Sequence, residues 1–112
     1  MKRFEALERS IELARLVREP RAAIARRDRG LADQVRRAVT SVPLNLAEGS
    51  RRAGGDRLHA YRVAAGSADE VLVALRVAEA LGYLSVGQAR QAMDMADRVV
   101  AMLTRILKPR PA

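Results

Sequence analysis

The residues of this 112-residue chain that could do chemistry are few in kind: one histidine, His59, thirteen acids, and 21 basic side chains of which all but Lys2 and Lys108 are arginine. A nucleophilic triad needs a base within hydrogen-bond reach of a hydroxyl or thiol. The chain has no cysteine, and no spacing brings His59 to Ser41, Ser67 or Ser85. Metal sites inside helical bundles use His or Glu pairs one turn apart; a single histidine among scattered acids supplies none, so neither metal nor cofactor is expected. His59, at a polar edge, reads as a solvated surface histidine. Gly54-Gly55 has no lysine after it and no strand before it, and reads as a turn rather than a phosphate loop. Arginine is what remains. Its planar fork suits phosphate and carboxylate, although a GC-rich genome produces the same bias.

The charge is uneven. Residues 1–62 carry 15 Lys+Arg against 8 Asp+Glu, and residues 63–112 carry 6 against 5, within a net charge of +8. On a helical wheel the second helix divides its polar residues into two sets. Arg37, Ser41, Asn45, Glu48 and Arg52 follow one edge of the apolar stripe, where polar groups need partners at a helix–helix or subunit boundary, and Glu48 with Arg52 forms a ready i,i+4 pair. Arg29, Arg36 and Arg51 point away from the stripe, within about 60° of one another, as a basic face open to solvent.

The elements that carry these residues are helical. Phe4, Leu7, Ile11, Ala14 and Val17 recur at steps of three and four, with Pro20 ending or bending that helix and Arg26-Arg27-Asp28-Arg29-Gly30 as the first connection. Leu31, Val35, Ala38, Val42 and Leu46 form a second stripe that keeps its phase across Pro43, which predicts a kinked but continuous helix. Thr40 or Ser41 is expected to answer the Val39 carbonyl that proline frees. Gly54-Gly55-Asp56 reads as a turn and an N-cap opening a third helix to about Leu81, stopped by Gly82. Its apolar arc is broad, and Val63, Val73 and Val77 lie outside it, which points to self-association. Ser85 and Gln88 form a capping box before a fourth helix ending near Pro109. No alternating β-rich run appears. The expected architecture is all-α: one domain, 1–112, folded as an antiparallel up-and-down four-helix bundle.

A hydrophobic share of 49% excludes a disordered tail. No stretch approaches the roughly 20 apolar residues of a membrane span, and the opening Met1-Lys2-Arg3-Phe4-Glu5 leads into charged sequence rather than a signal core. A cytoplasmic protein that does not enter a membrane is expected.

From Gln34 to Arg52 the sequence QVRRAVTSVPLNLAEGSRR resembles the hallmark of the 23S rRNA intervening-sequence proteins, Q-[IL]-R-R-A-x-x-S-[IV]-P-x-N-[IL]-A-E-G-x-x-R. The resemblance runs on through Ala65-Gly66-Ser67 with Glu70 and through Ala80-Leu81-Gly82-Tyr83-Leu84, and Phe4 with Leu7 also fits. Arg37, Ser41, Pro43, Asn45, Glu48, Gly49, Arg52, Gly66, Ser67 and Glu70 are thereby the motif positions. The chain departs from the family at Arg9-Ser10, where a Val-Trp pair is usual, at Pro20, and at Leu58 and Tyr61, where helix three usually opens with more aromatics. The resemblance implies a bacterial four-helix bundle, commonly a ring-like homopentamer, with no established enzymatic activity. It also implies kinship with a basic pentameric accessory protein of diversity-generating retroelements that binds reverse transcriptase and nucleic acid.

Two functions follow as expectations. The first is a nonenzymatic, oligomeric basic bundle binding RNA or an RNA-handling complex, with Arg29, Arg36 and Arg51 as phosphate contacts. With one Phe and two Tyr, base stacking is scarce and backbone-dominated binding is expected. The second is an interaction or structural ring module that docks an acidic protein, such as a subunit of a reverse-transcriptase system, through bidentate arginines.

Overall fold

The computed structural model describes residues 2–109, with side chains described from Glu5 onward. Four helices follow one another: α1 (Lys2–Ala25), α2 (Arg29–Ser50), α3 (Gly54–Ala80) and α4 (Val86–Leu107), and no strand occurs among the described residues. Each helix packs on the one before and the one after it, and α1 closes on α4. Helices of 22 to 27 residues are about 33–40 Å long. A three-residue connection spans only about 10 Å, so the chain must reverse at each turn. The core shows the same reversal. One half joins Leu13–Ile24 of α1, Ala32–Val39 of α2, Val71–Ala78 of α3 and Ala89–Ala96 of α4. The other joins Ala6, Val42, Leu46, Tyr61–Ala68, Val99 and Leu103. The result is an up-and-down bundle 47 Å long.

Helix α1 runs through Pro20 to Ala25 instead of ending at the proline, and Pro20 is buried on the inner face. The buried line of α1 is Ala6, Ser10, Leu13, Val17 and Ile24, whereas Leu7, Ile11 and Ala14, expected at its centre, are only half-buried; the Phe4 side chain lies outside the described residues. Ser10 can occupy the core because its hydroxyl donates to the Leu7 carbonyl at 2.7 Å, leaving no unpaired polar group.

Asp28 caps α2 by accepting from the Leu31 amide at 3.0 Å, and the helix continues across Pro43. Val35, Ala38, Val42 and Leu46 are buried as expected, with Ala32, Val39 and Gly49 beside them, and Leu31 is half-buried. The Thr40 hydroxyl donates to the Arg36 carbonyl at 2.7 Å. It therefore does not serve the carbonyl of Val39, because a helical hydroxyl reaches the carbonyl one turn back, not the adjacent one.

Gly54, at φ +59°, makes the turn into α3, and the cap is Ala53 without a side-chain bond; Asp56, expected as the cap, sits in the first turn. At its far end the Tyr83 amide donates to the Ala78 carbonyl and the Gly82 amide to that of Glu79, a Schellman closure that requires the positive φ of Gly82, +79°. The Ser85–Gln88 capping box opens α4 as expected.

Candidate functional site

The polar motif residues fall into two groups with different surroundings. Ser41 and Asn45 are half-buried where α2 meets α3. The Asn45 side-chain amide donates to the Ser41 carbonyl at 2.9 Å and to Ser41 Oγ at 3.0 Å, and the Ser67 hydroxyl of α3 donates to Ser41 Oγ at 2.8 Å. One hydroxyl thus ties a turn of α2 to α3. Two turns further on, Gly49 is buried against Tyr61: a Cβ at position 49 would stand 2.5 Å from Tyr61 Cε1 and 3.2 Å from Ala60 Cβ. The Tyr61 ring occupies the space a side chain would need, and its hydroxyl lies 3.4 Å from Ser50 Oγ. The adjacent Gly49 carbonyl accepts from Arg57 Nε at 3.3 Å. Pro43, between Ser41 and Asn45 in the chain, is half-buried.

Arg37, Glu48 and Arg52, expected to border the core, are instead exposed. Being exposed, they keep their hydration and need no buried partner. Arg52 pairs with Glu48 at 2.6 Å, and that bond holds the guanidinium above its ordinary pKa. Asp33 is shared by Arg36 at 2.8 Å and Arg37 at 2.9 Å. The Arg36 hydrogen bond is the main cause that keeps the Asp33 carboxyl below the usual range. Along the rim of the seam, Gln34, Arg37, Ser41, Ser67 and Glu70 line an open groove of about 350 Å³ between α2 and α3.

Arg29 and Arg51 stand at the two ends of α2, about 33 Å apart along its axis. Both are exposed, and neither belongs to an ion pair among the described residues. Arg36 lies on the same helix but shares Asp33. The expected basic face is therefore a long ridge whose ends carry the unpaired charge. Two contributors were missed in the sequence. Arg26 and Arg27, read only as a connection, are exposed beside the start of α2, and the Arg27 guanidinium lies 5.5 Å from the Tyr83 ring centroid, within cation–π range. The signal available was the arginine pair itself; its aromatic partner, 56 residues later, is brought near only by the fold.

His59 is exposed, and among the described residues no three His, Cys, Asp or Glu side chains gather as metal ligands would. No helix among them is long and apolar enough to cross a membrane.

The profile of one protein family, the 23S rRNA-intervening sequence proteins, matches residues 2–105. The chain belongs to that family. Among curated proteins none matches it significantly. Among solved structures it is similar to a protein of unknown function from the S23 ribosomal protein family of Bacteroides thetaiotaomicron VPI-5482, with 18% identity, a TM-score of 0.81, and coverage of 93% of this chain and 99% of that one. That likeness speaks for the bundle alone. For this intervening-sequence family member, the motif residues divide between a packing role at the α2–α3 seam (Ser41, Asn45, Gly49, Ser67) and exposed positions, where Arg37 pairs with Asp33, Arg52 pairs with Glu48, and Gly66 and Glu70 lie on the surface of α3.

Proposed function

We propose that this chain is a nonenzymatic, homo-oligomeric basic bundle that binds structured RNA through phosphate contacts along α2 and its flanking turns. The observation that carries this reading is the state of the charges between residues 26 and 52. Seven arginines stand against Asp28, Asp33 and Glu48, and each of these acids is already engaged: Asp28 on the α2 cap, Asp33 on Arg36 and Arg37, Glu48 on Arg52. Arg26, Arg27, Arg29 and Arg51 keep their charge for an outside anion. The exposed Arg36–Asp33 pair is of the kind worth about 0–1 kcal/mol, so a phosphate can displace the carboxylate. The family resemblance favours a ring of five; five chains of +8 carry about +40, and modest contacts on several subunits add through effective concentration.

If phosphate neutralisation drives binding, affinity falls steeply with salt and varies little with RNA sequence. Replacing Arg29 and Arg51 by Ala flattens the plot of log K against log salt by about one unit per lost contact, and the Arg36→Ala change has less effect because its charge is shared. Filter binding or fluorescence anisotropy with a structured RNA across a salt series measures this. Absence of binding at low salt, or an unchanged slope in the double variant, overturns the RNA reading and leaves the same arginines to dock an acidic protein.

A further inference from the structure

Helix α3 carries a second pattern that its own bundle does not use. Val63, Gly66, Glu70, Val73 and Val77 follow one another at steps of three, four, three and four, the spacing by which one helix seats against another. All five are exposed, the valines at 37%, 46% and 41%. Gly66 is the informative member. Glycine is among the weakest helix formers, yet this one stands in the interior of a 27-residue helix, and a Cβ placed there would meet nothing within 4 Å. Nothing inside the chain requires a glycine at this position. Its bare backbone leaves room for close approach by a surface from outside the chain.

We propose that this stripe of α3 is the seat of a second copy of the chain, which lays the outer ridge of its α2 across it, with Leu44 of the second copy entering the notch at Gly66. The proposal rests on the self-association included in the proposed function and adds where it happens. Leu44 is the most exposed large apolar side chain described, at 63%, and arginines 37 and 51 lie two turns to either side of it on the same exposed ridge. Glu70, in the middle of the α3 stripe, shares the α2–α3 groove with Arg37 of its own chain, and once covered it needs a cation in contact, which the arginines of that ridge can add. Two identical stripes paired symmetrically about Glu70 would instead bring two carboxylates together. The contact therefore joins two different patches, the α2 ridge of one copy and the α3 stripe of the other. Polyanionic RNA is a poor occupant, since Glu70 repels phosphate and the valines offer it nothing.

Nuclease-treated protein in sedimentation equilibrium tests this with four variants. Gly66→Leu, Val73→Ser and Leu44→Ser change exposed positions and should leave helicity intact by circular dichroism; Ala101→Ser, on the exposed face of α4, is the control. The expected result is an oligomer for the natural chain and the control, with association weakened by about tenfold or more in each of the other three. A natural chain that sediments as a monomer overturns self-association itself. An oligomer that all three variants leave intact overturns only the α3 seat. Loss of association on changing α3 but not Leu44 overturns the α2 ridge as its counterpart.

Discussion

Gly49 and Gly66 sit on neighbouring helices, one turned in and one turned out, and their surroundings are opposite. At Gly49 the Tyr61 ring fills the place of the missing side chain, and the hydroxyl network of Ser41, Asn45 and Ser67 ties the same two helices two turns away. At Gly66 there is open space between exposed valines. The same weak helix former is explained in the first case by the chain's own packing, and in the second no contact within the described residues calls for it.

The largest effect that could break this comparison is at position 49. Gly49→Ala forces Tyr61, itself 3% exposed, against a Cβ with no room to yield, and overpacking of this kind costs about 1–3 kcal/mol. Thermal unfolding should show it as a fall of about 4–8 °C per kcal/mol for a domain near this size; an unchanged midpoint would mean that the Tyr61 ring is not fixed. Ser67→Ala should cost less, about 0.5–1.5 kcal/mol and toward the lower figure, because Asn45 still donates to Ser41 Oγ; denaturant titration reads it. Gly66→Ala should move the other way, stabilising the dissociated chain by up to about 1 kcal/mol through helix propensity, and a loss of stability there would sink the contrast between the two glycines. Smallest of all is Asp33→Asn, far from both. The depressed Asp33 carboxyl contributes stability that is fully present above its ordinary pKa and is lost as pH falls through the lower, folded value. The stability difference between Asp33→Asn and the natural chain should therefore vanish in strong acid and be constant near neutrality.

The stripes of α2 and α4 were legible because their apolar residues are few and well spaced and, for α4, because the Ser85–Gln88 capping box marks its start; Asp28, the cap of α2, was read only as part of a connection. Helix α1 was misread in phase. Leu7, Ile11 and Ala14 make one plausible stripe, and the true centre passes through Ser10, whose burial depends on a bond to its own backbone that no hydropathy pattern reveals. Pro20 could be read as a boundary because sequence alone does not say that it faces the core. At the site, the wheel correctly separated Arg29, Arg36 and Arg51 from the seam, yet it placed Arg37, Glu48 and Arg52 too near the core. The Ser41–Ser67 bond and the Arg27–Tyr83 contact join distant parts of the chain, so their existence depends on helix register, which periodicity within one helix does not contain.

The connections between successive helices, three, three and five residues long, bear on how the chain finds this structure. Closing each hairpin costs little loop entropy, and every contact between α1 and α2, α2 and α3, or α3 and α4 joins segments adjacent in the chain. Only the α1–α4 seam joins the two ends, and once the three hairpins have formed it is nearly closed by geometry. Topology of this kind places a bundle among fast folders, so the core can be completed within a single chain.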